Sequence, residues 1–149
     1  LMKVFFDTSA LVKYFHEEEG TDIVTPLIEN MDNDVWISEL AFVEFVSALQ
    51  KNYRAGVLDK REIALALDGF TETCAGFSVE PMGQAVSQEA IALLNQYGPT
   101  NNLRTLDALQ LAAFSLIAES DSTFVSADIN LCAVASLAGY TVMNPAGKH

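Results

Sequence analysis

Cysteine, histidine, basic residues and long apolar runs are all scarce in this chain, and each scarcity removes a class of function. The two cysteines, Cys74 and Cys132, lie far apart without a CxxC spacing, so nothing supports a disulfide framework, a zinc ribbon or a thiol redox pair. Each sits within an apolar helical pattern and reads as a small buried hydrophobe. The only histidines are His16 and His149, and neither has neighbours suited to a Ser/His/Asp arrangement. No apolar run approaches the roughly 18 uncharged residues of a membrane-spanning helix. The first residues lack the basic-then-apolar order of a signal peptide, and Leu1 ahead of Met2 reads as a remnant of expression. A cytoplasmic protein without membrane association is expected. Eight basic residues against 20 acidic ones give a net charge of −12, which opposes approach to a phosphate backbone. Any contact with nucleic acid must therefore rest on metal ions and a local basic patch.

What is present is an apolar chain of 149 residues, 50% hydrophobic, with the size and composition of one domain over residues 1–149. Lys3-Val4-Phe5-Phe6 reads as a buried strand that delivers Asp7 at its C-terminal end, where open α/β sheets place ligand crevices. Ser9 then opens a helical pattern through Phe15. Glu17-Glu18-Glu19-Gly20 suggests a solvated turn. An amphipathic helix is expected from about Thr21 to Asn30, then a strand at Val35-Trp36-Ile37, with Ser38 as the N-cap of the next helix. That helix is apolar around most of its circumference, yet carries Glu44 between Phe42, Val43, Phe45 and Val46. Glu44 therefore points inward, either to pair with a basic residue or to join a metal site. Lys51, Arg54, Lys60 and Arg61 crowd the corner before and after Asp59, as a solvated hairpin tip or a phosphate-contacting patch.

Ile63 to Phe70 continues the second of these helices, and Phe77 to Pro81 reads as a third strand. A helix from about Gln84 to Tyr97 is followed by Gly98-Pro99-Thr100-Asn101-Asn102, which reads as a loop and the best candidate for a mobile segment near a site. Asp107 lies in the first turn of the next helix, where the helix dipole favours a negative charge. It also shares a face with Leu111 and Phe114, which argues for burial. Thr123-Phe124-Val125-Ser126-Ala127-Asp128 repeats the logic of the first strand, an apolar run closed by an acid. A helix from Ile129 to Ala138, a stop at Gly139 and a strand at Tyr140 to Met143 complete the alternation of strand and helix.

If the strands bearing Asp7 and Asp128 are neighbours, their ends lie about 4.8 Å apart and their carboxylates converge. Glu44 and Asp107, from inward helical faces, then reach the same point. Four clustered acids repel one another without a divalent cation, and an all-oxygen donor set suits Mg²⁺ or Mn²⁺. Such an ion activates water and stabilises charge on a phosphoryl oxygen, which fits hydrolysis of a phosphodiester. Ser126, two residues before Asp128, faces the same way and is placed to hydrogen-bond a ligand carboxylate or a coordinated water. Thr8 and Ser9 are placed to do likewise, with helix capping an equal reading for Ser9.

The order Asp7, Glu44, Asp107, Asp128 resembles the PIN-domain nucleases, and among them the VapC-like toxins of type II toxin-antitoxin modules. The matching segments are Phe6-Asp7-Thr8-Ser9, Glu44 in its apolar helix, Arg104-Thr105-Leu106-Asp107-Ala108-Leu109-Gln110-Leu111-Ala112, and Val125-Ser126-Ala127-Asp128 leading to Gly139-Tyr140-Thr141-Val142. The resemblance implies an α/β, three-layer PIN-like fold with a central, mostly parallel five-stranded sheet flanked by helices. It implies a Mg²⁺ or Mn²⁺ site built from the four acids, endonucleolytic cleavage of RNA, a homodimer and a cognate antitoxin. Gln110 stands where members of the family commonly carry histidine, outside the acidic quartet.

Four other readings compete, one of them purely structural, with all four acids as satisfied core or cap residues. A haloacid-dehalogenase-like phosphatase needs a second aspartate two residues after the first, where this chain has Ser9. A response-regulator receiver wants paired acids early and a phosphoacceptor aspartate on a middle strand. The remaining alternative, a non-catalytic PIN-fold module that binds RNA or protein, shares all four acids and separates from the nuclease only by metal binding.

Overall fold

The structure, a computed structural model, describes residues 2–147. Leu1, expected to be a remnant of expression, and the histidine at 149 lie outside the described residues. Five strands form one sheet in the order β3-β2-β1-β4-β5 and every pairing is parallel, so the sheet is wholly and not merely mostly parallel. The strands are β1 (Lys3–Phe6), β2 (Asp34–Ser38), β3 (Ser78–Glu80), β4 (Thr123–Val125) and β5 (Thr141–Met143). The helices are α1 (Thr8–Phe15), α2 (Thr21–Glu29), α3 (Leu40–Arg54), α4 (Lys60–Cys74), α5 (Gln84–Asn101), α6 (Thr105–Ile117) and α7 (Ile129–Leu137).

Parallel strands need crossovers, and the helices that supply them cover both faces. Alternation along β1 sends Val4 and Phe6 to one side and Phe5 to the other. The first side packs on α1 to α4, where Phe45 stacks on Phe70 at 3.9 Å and Phe15 meets both edge-on. The second packs on α5 to α7 around Phe5, Phe114 and Phe124. This is a three-layer α/β arrangement.

From β1 the chain steps outward to β2 and β3, then returns to place β4 on the other side of β1. The order thus reverses between β1 and β4, and at such a switch point the loops leaving adjacent strands part to open a crevice. Asp7 and Ser126 stand at this point, because Phe6 pairs with Val125 and the Asp7 amide donates to the Val125 carbonyl at 3.0 Å.

One expected loop is not a loop. Helix α5 runs through Gly98 and Pro99 to Asn101 and ends at Asn102, whose φ of 51° is left-handed. Proline in the last turn removes one hydrogen bond, while Val86, Ala90, Leu93, Leu94 and Tyr97 hold the helix against the second core. Asn130 Nδ2 caps the terminal carbonyls of Asn101 and Asn102 at 3.1 and 3.3 Å. Packing therefore overrides the local turn chemistry. The acid run at Glu17–Glu19 is exposed as expected, though Glu18 reaches back to the buried Lys13 at 2.8 Å. Among the described residues no helix is long and apolar enough to cross a membrane.

Candidate metal centre

Asp7 follows β1 and is the N-cap of α1: its Oδ1 accepts from the Ala10 amide at 3.0 Å. Ser9 is not the cap. Its hydroxyl donates to Asp7 Oδ1 at 2.7 Å and accepts from the Ala127 amide at 3.0 Å, stitching α1 to the segment after β4. Ser126, fully buried, donates to Asp7 Oδ2 at 2.6 Å and accepts from the Asp128 amide at 3.1 Å. The Asp7 carboxylate, only 4% exposed, is thus hydrogen-bonded on both oxygens. Burial nevertheless pushes its pKa up to about 6, overriding the lowering effect of Ser126, Ser9 and Ala10, with Asp107 adding repulsion.

Asp128 is the N-cap of α7, accepting from the Leu131 amide at 2.8 Å through Oδ1. Asp107 lies in the first turn of α6, half-buried, above the buried Leu111 and Phe114. Burial raises its pKa most, then the charge of Asp128; Arg104 opposes and Glu44 adds to the rise. Arg104 Nε lies 3.8 Å from Asp107 Oδ2 with its side chain 72% exposed, a pairing worth little in water.

Glu44 sits in the second turn of α3. It pairs with no basic residue among those described, which answers one of its two sequence readings. Its Oε1 accepts from the Thr8 hydroxyl at 2.9 Å and from Gln110 Nε2 at 2.7 Å. Its neighbours Val43 and Val46 are exposed, so the helix is less enclosed than its composition suggests. Glu44 and Asp107 line one cleft of about 420 Å³ with Arg104, Thr105 and Leu106.

Three of the four acids lie at helix N-termini, and the fourth, Glu44, shares the cleft with Asp107. All their donors are hard oxygens; Asp107 feels the charges of Asp128 and Glu44, and Asp7 feels that of Asp107. That chemistry fits a hard divalent cation, which would relieve the burial and repulsion acting on Asp7 and Asp107. Even so, among the described residues no three acid, histidine or cysteine side chains stand close enough to share one ion as they are. Asp7 is hydrogen-bonded on both oxygens, while Asp128 and Glu44 each have one oxygen engaged. Sequence reasoning gave Gln110 no role, although a lone amide amid Leu109, Leu111 and Ala112 is the same kind of signal as Glu44 in α3.

The fold matches solved structures of low identity. These include a toxin-antitoxin complex from Klebsiella pneumoniae, with TM-score 0.65, 16% identity, and coverage of 95% of this chain and 97% of that one. VapBC-1 from nontypeable Haemophilus influenzae gives 0.66 and 10%, covering 98% and 100%. FitAcB from Neisseria gonorrhoeae gives 0.68 and 15%, covering 95% and 97%. A comparison with curated proteins finds no match. The PIN domain profile matches residues 4–137, from β1 to the end of α7 and across all four acids, and the chain belongs to the PIN domain family.

Proposed function

We propose that this protein is a Mg²⁺- or Mn²⁺-dependent endoribonuclease, the toxin of a toxin-antitoxin pair. The observation that carries the reading is that Asp7, Asp107 and Asp128 each lie at a helix N-terminus, with Ser126 hydrogen-bonded to both the Asp7 carboxylate and the Asp128 amide and with Glu44 sharing a cleft with Asp107. Asp7, Glu44, Asp107 and Asp128 would hold the cation. When bound, the ion supplies a Lewis acid for a phosphoryl oxygen and lowers the pKa of water. The chain's own residues do the positioning: Ser126 and Ser9 orient the Asp7 carboxylate, and the Glu44 oxygen left free by Thr8 and Gln110 is placed to orient the attacking water.

RNA as the substrate, a cognate antitoxin that occludes the cleft and a homodimer belong to this proposal. Its support is the family, together with solved structures of the same fold that are toxin-antitoxin complexes. The second reading, a PIN-fold module that binds RNA or protein without cutting, is favoured by one observation: no three of the acids are grouped around a common point for an ion.

Calorimetric titration of Mn²⁺ into the wild type, Asp7→Asn and Asp128→Asn, beside a structured-RNA cleavage assay, separates the two. Saturable binding that disappears in both variants, with metal-dependent cleavage, supports the nuclease. A wild type that takes up no metal supports the module.

A further inference from the structure

We infer that Gln110 is a positioning residue for Glu44, acting with Thr8 to fix which carboxylate oxygen is turned away from the cleft and which is left for it. The inference rests on the metal reading of the site given above. Gln110 lies on α6, one turn beyond Asp107, and is only 3% exposed. Its single Nε2 supplies two hydrogens, one to Glu44 Oε1 at 2.7 Å and one to Thr8 Oγ1 at 3.1 Å. The Thr8 hydroxyl donates its own hydrogen to the same Glu44 oxygen at 2.9 Å. Three side chains from α1, α3 and α6 thus close a small ring on Glu44 Oε1. Among the described residues Glu44 Oε2 makes no hydrogen bond, and Glu44 lines the cleft with Asp107.

The Gln110 carbonyl oxygen shows what this ring is for. It is buried and has no hydrogen-bond partner among the described residues. Turning the amide over would set that carbonyl against the Glu44 carboxylate at 2.7 Å, two acceptors without a hydrogen between them. The ionised carboxylate therefore dictates the amide's orientation, and the orphaned carbonyl is the consequence. An apolar side chain of similar size would fill the same place among Ala112, Ala113 and Leu111 with no orphan at all. The glutamine amide supplies two donors, one to the Glu44 carboxylate and one to the Thr8 hydroxyl that itself donates to the same carboxylate oxygen, an arrangement that holds a metal ligand in a single rotamer.

The test compares the wild type with Gln110→Leu, Thr8→Val, Thr8→Ser, Glu44→Gln and the Gln110→Leu/Glu44→Gln double variant. Mn²⁺ affinity is read by calorimetry, RNA cleavage as kcat and KM, and the fold by thermal unfolding. Gln110→Leu should weaken Mn²⁺ binding about 10- to 100-fold and lower kcat, with KM for RNA and the unfolding midpoint close to wild type. Thr8→Val should act in the same direction, and Thr8→Ser should restore affinity because it keeps the hydroxyl. In the Glu44→Gln background, Gln110→Leu should have no further effect. An undiminished effect in that background, or a lowered midpoint with unchanged affinity, would overturn the inference. Failure of the wild type itself to bind Mn²⁺ would overturn the underlying metal reading and this role with it, an outcome told apart by appearing before any substitution is made.

Discussion

Replacing Asp7 with asparagine should make the metal-free protein more stable at neutral pH while removing metal binding. The Asp7 carboxyl is buried and its pKa rises from 3.8 to about 6. A raised acid binds its proton more tightly in the folded state, so its contribution to stability is complete below the unfolded value. That contribution is lost as pH climbs through the folded value. At about pH 7.5 the loss is about 3 kcal/mol, since each pH unit is worth about 1.4 kcal/mol. Asparagine carries no charge and avoids this. It keeps an acceptor for Ser9 and Ala10, but Ser126 must accept from the new amide where it now donates at 2.6 Å, a change costing about 1 kcal/mol. The net gain is about 2 kcal/mol, or about 4–8 °C in a chain of this size. Denaturant unfolding in chelator should show the gap at about pH 7.5 and, below about pH 4, a reversal in which the wild type is the more stable by about 1 kcal/mol. The comparison between variants cancels the titration of the acids that do not interact with Asp7. Adding Mn²⁺ at about 100 times its Kd should then stabilise the wild type by about 2.7 kcal/mol and leave Asp7→Asn unchanged, reversing or closing the gap. An Asp7→Asn protein less stable than wild type at neutral pH, or a gap that does not vary with pH, would refute the reasoning.

Substitutions at three further places test separate parts of the structure. Asp128→Asn should keep the α7 cap while losing metal binding. Asp128→Ala should lose both, at a cost of about 1 kcal/mol in unfolding; equal stability of the two variants would mean that the cap contributes nothing. The exposed Lys51, Arg54, Lys60 and Arg61 form no ion pair among the described residues. Changing all four to glutamine should raise KM for RNA and make its salt dependence shallower, by about 0.7 in log-log slope for each phosphate no longer neutralised, with kcat retained. An unchanged slope would assign the corner to solvent. Gly20 has φ +95°, and a Cβ there would lie 2.9 Å from the Pro145 carbonyl oxygen. Gly20→Ala should therefore cost about 1–3 kcal/mol in unfolding, with metal affinity unaltered.

How much of this was legible depends on whether local pattern and tertiary packing agreed. Phe5-Phe6-Asp7 and Phe124 to Asp128 showed themselves because a buried parallel strand is apolar on both faces and its end is abrupt. Glu44 was visible as a charge without a polar stripe. Of the two readings of Ser9, the hydrogen bond to a carboxylate holds and the helix cap does not, because Asp7 both ends the strand region and caps the helix, and a sequence offers no sign that one residue does both. Gly98-Pro99 failed for the opposite reason: its turn signal is strong, but α5 is already committed to the core through Leu93, Leu94 and Tyr97. The ring on Glu44 joins residues 8, 44 and 110, separations that no local periodicity can encode.

The chain also supplies a control for whether these acids are more than helix caps. Asp59 caps α4 through a complete capping box with Glu62, at 2.8 and 3.1 Å, and both residues are exposed. That is how a cap looks when capping is its whole role: water solvates the charge, and the amide bond and helix dipole are gains without an opposing cost. Asp7 makes the same kind of cap in a place where three hydrogen bonds do not offset burial, and Asp107 adds repulsion. A cap alone gives no reason to bury the charge, since asparagine would serve α1 equally well. The contrast can be measured. Asp59→Asn should change stability by a few tenths of a kcal/mol and leave Mn²⁺ affinity intact. Asp7→Asn should raise stability and abolish binding. If the two substitutions behaved alike in both measurements, Asp7 would be a cap and the metal reading would fall.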